Sequence, residues 1–216
     1  MTLATLEGAA GDERLFVSGL VALGPEDGLP AKFAALALLS PDEPGFWDHV
    51  TASPEFADGA ADPLDRWSSR VIRALALGLD GMAVFPFGGP PWHPFQHWAL
   101  RSGRAWASPV RFLVHDRMGL MASYRGAIAL PGPISLPTPA AAAPCVGCTA
   151  PCVAACPPGA LTGAGYDLPA CHAFLDRPEG ENCLNAGCLV RRACPLSQTY
   201  GRLARQSAWH MRQFHK

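Results

Sequence analysis

The first 144 residues of this 216-residue chain contain no cysteine, and all eight cysteines lie between Cys145 and Cys194. The sequence also lacks an apolar run of 18 residues, and no cationic segment precedes an apolar block near its start. It therefore predicts neither a membrane span nor a signal peptide. We expect a cytoplasmic protein, and in that reducing compartment clustered cysteines bind metal more often than they form disulfides.

Charged residues are scarce, at 16% of the chain, and the formal net charge is −1. Residues 1–144 carry ten Lys and Arg against fourteen Asp and Glu, whereas residues 145–216 carry seven against four. This modest basic excess does not require a nucleic-acid partner. The 22 glycines and 22 prolines predict many turns and short elements, which argues against a coiled coil or a simple helical bundle.

Short apolar runs bounded by glycine, proline or serine predict five strands. They cover residues 15–21, 33–39, 81–87, 110–115 and 122–130. Asp62-Pro63 is typical of a capped helix start, and the apolar spacing that follows predicts a helix up to Gly78. Residues 95–102 predict a second, short helix. We therefore predict an α+β fold.

A proline- and alanine-rich segment, residues 136–144, predicts a connector between two domains. The first predicted domain is residues 1–135. The second is residues 145–216, which contain all the cysteines and end in a predicted helix over residues 197–214.

The first four cysteines follow one another at short spacing, in the order Cys145-x2-Cys148-x3-Cys152-x3-Cys156-Pro157. This run is one residue longer than the run that holds clusters in bacterial ferredoxins. A cubane cluster needs one thiolate for each of its four irons. In the ferredoxin run the last cysteine, which precedes proline, binds the other cluster of the pair.

The remaining cysteines form a second, stretched run, Cys183-x4-Cys188-x5-Cys194-Pro195, with Cys171 between the two runs. Exchanging the two cysteines that precede proline gives two groups of four. The first quartet is Cys145, Cys148, Cys152 and Cys194; the second quartet is Cys156, Cys171, Cys183 and Cys188. Each quartet predicts one [4Fe–4S] cluster, because thiolates are soft ligands suited to iron.

Two structural zinc sites would also use eight cysteines and are the alternative. Zinc ligands usually come as two separated pairs, whereas here four cysteines follow one another and end in Cys-Pro. We therefore favour clusters. His172, next to Cys171, is interpreted as a neighbour of a ligand rather than as a ligand itself.

Residues 14–135 resemble the CblC family of cobalamin-processing proteins. The resemblance is carried by His115-x-Arg117-x-Gly119, by Arg125-Gly126, by Leu130-Pro131-Gly132 and by Asp62-Pro63-Leu64-Asp65. It implies a nitroreductase-like domain that binds cobalamin.

Residues 92–195 resemble a second family, epoxyqueuosine reductase, which joins a cobalamin-binding, nitroreductase-like domain to two [4Fe–4S] clusters. The residues that fall in register with that family are Trp98, Gly103, Trp106 and Gly119. The eight cysteines match the family's cluster ligands in order. The position of that family's proton-donating aspartate is Gly89 here, and glycine cannot act as a general acid. The spacing of Arg125-Gly126 follows the cobalamin-processing family instead.

Both resemblances imply cobalamin, and they implicate the residues His115, Arg117, Gly119, Arg125 and Gly126. The arginines could meet amide or phosphate oxygens, or form surface salt bridges. The glycines could admit a flat ring, or permit a turn and a bulge. His115 could orient an axial water, or be a hydrogen-bonded residue at a strand end. No catalytic residue is identified.

The resemblances lead to the hypothesis of a cobalamin reductase that has a ferredoxin-like module. Electrons would pass from two [4Fe–4S] clusters to bound cobalamin, whose upper axial ligand is removed by decyanation or dealkylation. An external electron donor would be its partner. Two alternatives stay open: an electron-transfer or cobalamin-carrier protein without catalysis of its own, and a tRNA-modifying reductase, which Gly89 and the modest basic charge disfavour.

Overall fold

The structure, a computed structural model, describes residues 3–132 and 142–216. Its backbone contacts divide the chain into two units. The first unit contains residues 3–104 and 123–132, and the second contains residues 105–122 and 142–216. Most of the predicted connector, residues 136–141, lies outside the described residues.

Helices and short strands alternate along both units. The helices are α1 (Leu3–Asp12), α2 (Phe46–Thr51), α3 (Pro54–Ala57), α4 (Pro63–Leu77), α5 (Phe95–Arg101), α6 (Leu168–Leu175), α7 (Glu181–Ala186), α8 (Leu189–Ala193), α9 (Pro195–Thr199) and α10 (Ala204–Phe214). The strands are β1 (Leu15–Ala22), β2 (Ala35–Pro41), β3 (Met82–Val84), β4 (Ala105–Ala107), β5 (Leu113–His115) and β6 (Gly126–Leu130). Short 3-10 turns occur at Pro25–Asp27, Pro151–Ala154 and Pro178–Gly180. The predicted α+β class is confirmed.

The first unit is built on a four-stranded antiparallel sheet with strand order β1-β2-β6-β3. Every residue of β2 and β6 is buried. A bulge in β1 at Ser18 places its hydroxyl beside the neighbouring strand, where it donates to the carbonyl of Leu38 and accepts from Ser40 Oγ. The polar groups inside this apolar sheet are thereby satisfied.

Helix α4 packs against β3 and β6. Leu64, Trp67 and Val71 are buried as their spacing predicts. The predicted side-chain cap is wrong, because Asp62 adopts a left-handed backbone conformation with φ 51° and its carboxylate makes no capping hydrogen bond. Its carbonyl instead accepts from the backbone N–H groups of Asp65 and Arg66.

Several predicted elements are shorter than their apolar runs. The run 81–87 gives three strand residues, the run 110–115 also gives three, and the run 122–130 begins its strand at Gly126. The predicted C-terminal helix over 197–214 is two helices, α9 and α10, separated at Gly201, which has φ 84°. Among the helices of the described ranges, none has the length and apolar character to cross a membrane.

In the second unit, β4 and β5 form an antiparallel pair. Residues from this pair and its turn pack with the cysteine segment in one apolar core of Val110, Val114, Leu120, Cys152, Leu161, Val190 and Cys194. This packing explains why residues 105–122, predicted within the first domain, group with the cysteines.

Candidate functional site

The first quartet surrounds a cavity in the second unit. The cavity, of about 50 Å³, is lined by Cys145, Cys148, Cys152 and Cys194 together with Ser108, Val114, Leu120, Pro144, Ala150, Pro151, Pro195 and Leu196. On the same measure a single water needs roughly 10–15 Å³. The cavity therefore has room for a group of several atoms, with four thiols on its wall.

The thiols of the first quartet also act on one another electrostatically. Burial raises the pKa of Cys145, and negative charge on Cys152, Cys148 and Cys194 raises it further. Burial likewise raises the pKa of Cys152, with Cys194 as the next contribution. Such a set of thiols ionises together only when a cation compensates the charge, as iron or zinc does.

The cysteines of the second quartet form a separate group. Burial raises the pKa of Cys171, and the thiols of Cys188 and Cys156 add to the rise. Burial also raises the pKa of Cys183, with further contributions from Cys188 and Cys171. For each of the four cysteines whose pKa is raised, the neighbouring thiols that raise it belong to the same quartet; the ligand arrangement itself stays a prediction.

A buried polar residue in the cavity wall indicates whether the site suits a metal cluster. Ser108 is buried, and its hydroxyl has no hydrogen-bond partner among the described residues. A buried hydroxyl without a partner is costly, and a group in the cavity would provide one. Four soft thiolates and this hydroxyl therefore fit an anionic cluster that has acceptor atoms.

No three Cys, His, Asp or Glu side chains in the described part of the chain lie close enough to hold one metal ion. A tetrahedral zinc with Zn–S bonds of about 2.3 Å requires its sulfurs to lie roughly 3.8 Å apart. In a four-iron cluster each thiolate binds a different iron, so the sulfurs are spaced more widely.

A turn between residues 115 and 119 brings Cys194 into the first quartet. His115 and Gly119 exchange backbone hydrogen bonds of 3.0 and 2.9 Å, and Gly119 has φ 56°. A Cβ at Gly119 would lie 2.4 Å from the backbone nitrogen of Ser197. The hydroxyl of Ser197 accepts a 2.9 Å hydrogen bond from the backbone N–H of Leu120. Glycine at this position therefore allows the segment after Cys194 to contact the turn.

The structure places His115 inside this turn, fully buried. Its Nδ1 accepts a 3.0 Å hydrogen bond from the backbone N–H of Arg117 and lies 2.9 Å from a carboxylate oxygen of Asp116. The two contacts compete, since the nitrogen accepts from the N–H only when unprotonated and donates to the carboxylate only when protonated. Either way the ring stabilises the turn.

The first unit contains an open cleft of about 560 Å³. It is lined by Asp62, Asp65, Arg66, Ser69, Arg70, Arg73, Phe87 and Gly88. These residues belong to the exposed face of α4, to the residue before it and to the segment after β3. The volume is in the usual range for ligand sites.

Two of the three arginines in the cleft already have carboxylate partners. Arg66 donates to both carboxylate oxygens of Asp58 at 2.7 and 2.8 Å. Arg70 donates to Glu55 at 2.5 Å, and this contact lowers the pKa of Glu55 to about 2. These pairs fix the shape of the cleft wall.

Arg73 has no carboxylate partner among the described residues; its guanidinium lies 5.5 Å from the centre of the Phe85 ring. Arg125 is held more weakly than the paired arginines, with Nη1 3.5 Å from Asp65 Oδ1 and no hydrogen-bond partner for its Nε in the described residues. Burial raises the pKa of Asp65, and Arg125 opposes that rise. Arg73 is therefore the arginine of the cleft lining without a carboxylate partner in the described residues, and Arg125 does not line the cleft.

Gly126 is enclosed by protein. A Cβ there would lie 2.7 Å from Ile72 Cδ1 and 3.1 Å from the carbonyl oxygen of Val84. The missing side chain lets α4 pack on β6, which is a structural reason for glycine. Of the five candidate cobalamin contacts, Arg125 and Gly126 belong to the first unit, and the other three belong to the turn of the second unit.

Gly89, which the sequence resemblance predicts to replace a proton-donating aspartate, also lies in a tight segment. A Cβ at Gly89 would lie 2.8 Å from the carbonyl oxygen of Pro91 and 2.9 Å from the Trp92 ring. An acidic side chain would not fit there without a change of the loop.

Sequence reasoning missed Ser108, Tyr166 and Arg191 near the cysteines, and the arginines of the cleft. The cleft could have been found, since Arg66, Arg70 and Arg73 recur at helical spacing opposite the apolar face of α4. No local pattern marks the other three, which reach their sites through tertiary packing.

No protein-family model matches the chain, and neither a curated protein nor a solved structure matches it. We therefore infer the function from this geometry and from the motifs in the sequence.

Proposed function

We propose that the protein is an iron–sulfur cobalamin reductase, with one [4Fe–4S] cluster in each cysteine quartet. Electrons pass from the clusters to bound cobalamin, and its upper axial ligand is released. The observation that carries the proposal is the cavity that Cys194 of the second cysteine run lines together with Cys145, Cys148 and Cys152 of the first run. Bound clusters supply one-electron transfer.

The first quartet supports a cluster better than a single ion. Its cavity of about 50 Å³ exceeds the space of one ion, and it is lined by Ser108, whose buried hydroxyl has no partner among the described residues. In this proposal the second unit is a ferredoxin-like module. Its thiolates bind the irons, and the apolar side chains of Val114 and Leu120 exclude water.

We also propose that the first unit is nitroreductase-like and that its cleft binds cobalamin. Asp62 and Asp65, which belong to the motif of the resemblance, line the cleft beside Phe87. Arg73 is available for a phosphate or amide oxygen, and Phe87 offers apolar surface to a flat ring. These residues bind and orient the substrate.

The reaction balances with one electron. Cobalt(III) in cyanocobalamin accepts one electron and becomes cobalt(II), and cyanide leaves with the electron pair of its bond to cobalt. An external donor, a reduced flavin or ferredoxin, replaces the electron. No proton donor is needed for this step.

The metal content tests the first half of the proposal. We expect protein purified without oxygen to contain about eight irons and eight sulfides per chain, with absorbance near 400 nm. About two zincs per chain, without sulfide, would contradict the clusters.

Cobalamin binding and decyanation test the second half. Loaded protein should bind cyanocobalamin and, with dithionite as reductant, release cyanide faster than reductant alone. Arg73→Gln should weaken binding about tenfold through loss of a charge-assisted hydrogen bond. Lys32→Gln, an exposed cation of the same unit outside the cleft, is the matched control. Binding without cyanide release would identify a carrier, and absence of binding would leave electron transfer alone.

A further inference from the structure

The two quartets have different electrostatic surroundings. Arginine side chains lie near the second quartet: Cys188 interacts with Arg191, and Arg192 lowers the pKa of Cys183 against the effect of burial. For the first quartet, the charged groups acting on Cys145 and Cys152 are the thiols of the quartet itself.

Tyr166 provides the second quartet with a hydrogen bond. Its hydroxyl donates to Cys171 Sγ at 3.4 Å. The ring is held by a backbone bridge between Leu161 and Tyr166, by an edge contact with Phe112 and by stacking on Phe214. Tyr166 is 38% exposed, so these contacts rather than burial hold its hydroxyl beside Cys171. A phenolic hydroxyl has an ordinary pKa of about 10 and is a donor at neutral pH.

Arg191 is fixed beside the same quartet by α8, which begins directly after Cys188. Its guanidinium lies 4.2 Å from the centre of the Phe112 ring and donates a 2.5 Å hydrogen bond to the carbonyl of Leu120. No carboxylate pairs with Arg191 in the described ranges. Burial lowers its pKa, and the charge of Cys188 opposes this. The negative groups that act on Arg191 are thus Cys188 and Tyr166, both at the second quartet.

Adding an electron to a cluster adds negative charge. A hydrogen bond to a ligand sulfur and a nearby cation both stabilise the reduced form, so they raise the reduction potential. The first quartet also has a hydrogen bond to a sulfur, from the backbone N–H of Ala150 to Cys148 Sγ at 3.4 Å, so the difference between the quartets depends on Arg191 as well as on Tyr166.

We propose that Tyr166 and Arg191 set the second quartet's cluster at a higher reduction potential than the first quartet's cluster, so that a single electron taken up by the protein resides on the second. This inference rests on the proposed function, because it requires two clusters. The inference ranks the two clusters by reduction potential. The second cluster stores the electron, and the first is the stronger reductant.

The test is an anaerobic redox titration of the whole protein, followed by electron paramagnetic resonance. Wild type should show two midpoint potentials. Tyr166→Phe, which keeps the ring, and Arg191→Gln should each lower only the more positive one. At the potential where the wild-type cluster is half reduced, the ratio of reduced to oxidised cluster should fall about tenfold. Arg191→Lys, which keeps the charge, should recover most of this loss.

Ser108→Ala is the matched control, because Ser108 lines the other quartet. It should leave the more positive potential unchanged. Iron content in each variant checks loading; if Arg191→Gln loses iron, Tyr166→Phe alone decides. Unchanged potentials in loaded Tyr166→Phe, or a shift of the more negative potential, would overturn the inference while the proposed function stands. Wild type without two reducible clusters would overturn both.

Discussion

A methyl group added at Gly126 would meet Ile72 Cδ1 at 2.7 Å. Ile72 is fully buried on α4, and Gly126 begins a strand in which every residue is buried. The glycine thus permits the close approach of helix and sheet. The sequence motif that contains it is explained here by packing, and a contact with cobalamin stays a prediction.

We expect Gly126→Ala to lower the free energy of unfolding by about 1–3 kcal/mol, because the new methyl overpacks this contact. Ile72→Val removes the atom that the methyl meets. The double variant should therefore be more stable than the sum of the two single effects implies. Urea unfolding followed by circular dichroism measures all four proteins. Full stability of Gly126→Ala together with lost cyanocobalamin binding would instead favour a direct cobalamin contact.

The common cavity of Cys145, Cys148, Cys152 and Cys194 agrees with the grouping drawn from the two Cys-Pro pairs, and their role as cluster ligands stays a prediction. Tyr166 and Arg191 could not be predicted from the sequence, since each reaches the second quartet through packing on Phe112. Gly119 was noticed in a motif, but its contact with Ser197 depends on a residue far along the chain.

Helix α4 has both a packing face and a cleft-lining face. Its apolar face is buried on the sheet, and its polar face lines the cleft. Short helix α3 is tied to this polar face by the pair between Glu55 and Arg70. The pair therefore positions one wall of the cleft.

Arg70→Met should make the protein less stable at pH 7, and the difference from wild type should narrow in acid. Arg70 lowers the pKa of Glu55 from 4.5 to about 2. A depressed folded-state pKa contributes stability above about 4.5 that is lost as the pH falls toward 2. Because the Arg70 side chain is 53% exposed, solvent screening limits the effect to about 1 kcal/mol.

Urea unfolding of both proteins at pH 7, 5 and 3.5 measures this difference. Arg66→Met removes the pair with the more exposed Asp58 and is a parallel test, whose difference from wild type should also narrow in acid because Arg66 lowers the pKa of Asp58. A difference for Arg70→Met that stays constant down to pH 3.5 would contradict the assignment to Glu55.

Element types were more predictable than element lengths. The helix after Asp62 follows from its apolar period. The strand predicted over 110–115 has only three residues in the structure, because its partner β4 has only three residues to pair with it. Helix α1 was missed because its residues show no strong amphipathic pattern.

The chain passes from the first unit to the second after residue 104 and returns to the first after residue 122. The cysteines, which come later in the chain, belong to the second unit. The cysteine-free region of the sequence is therefore not one structural body. Residues 105–122 contribute Ser108, Val114 and Leu120 to the wall of the first quartet. The cavity of the first quartet, the proposed cluster site, therefore depends on both segments of its unit.

The crossed pattern makes a prediction about distant residues. Cys194 shares a cavity with Cys145, although the two lie at opposite ends of the cysteine segment. Cys194→Ser should therefore perturb the same cluster signal as Cys145→Ser in electron paramagnetic resonance of the reduced protein. Cys183→Ser should perturb the other signal, because its neighbouring thiols belong to the second quartet. Iron analysis should show a loss of up to about four irons in each variant. If Cys194→Ser matched Cys183→Ser instead, each cysteine run would hold its own cluster and the exchange between the Cys-Pro pairs would be wrong.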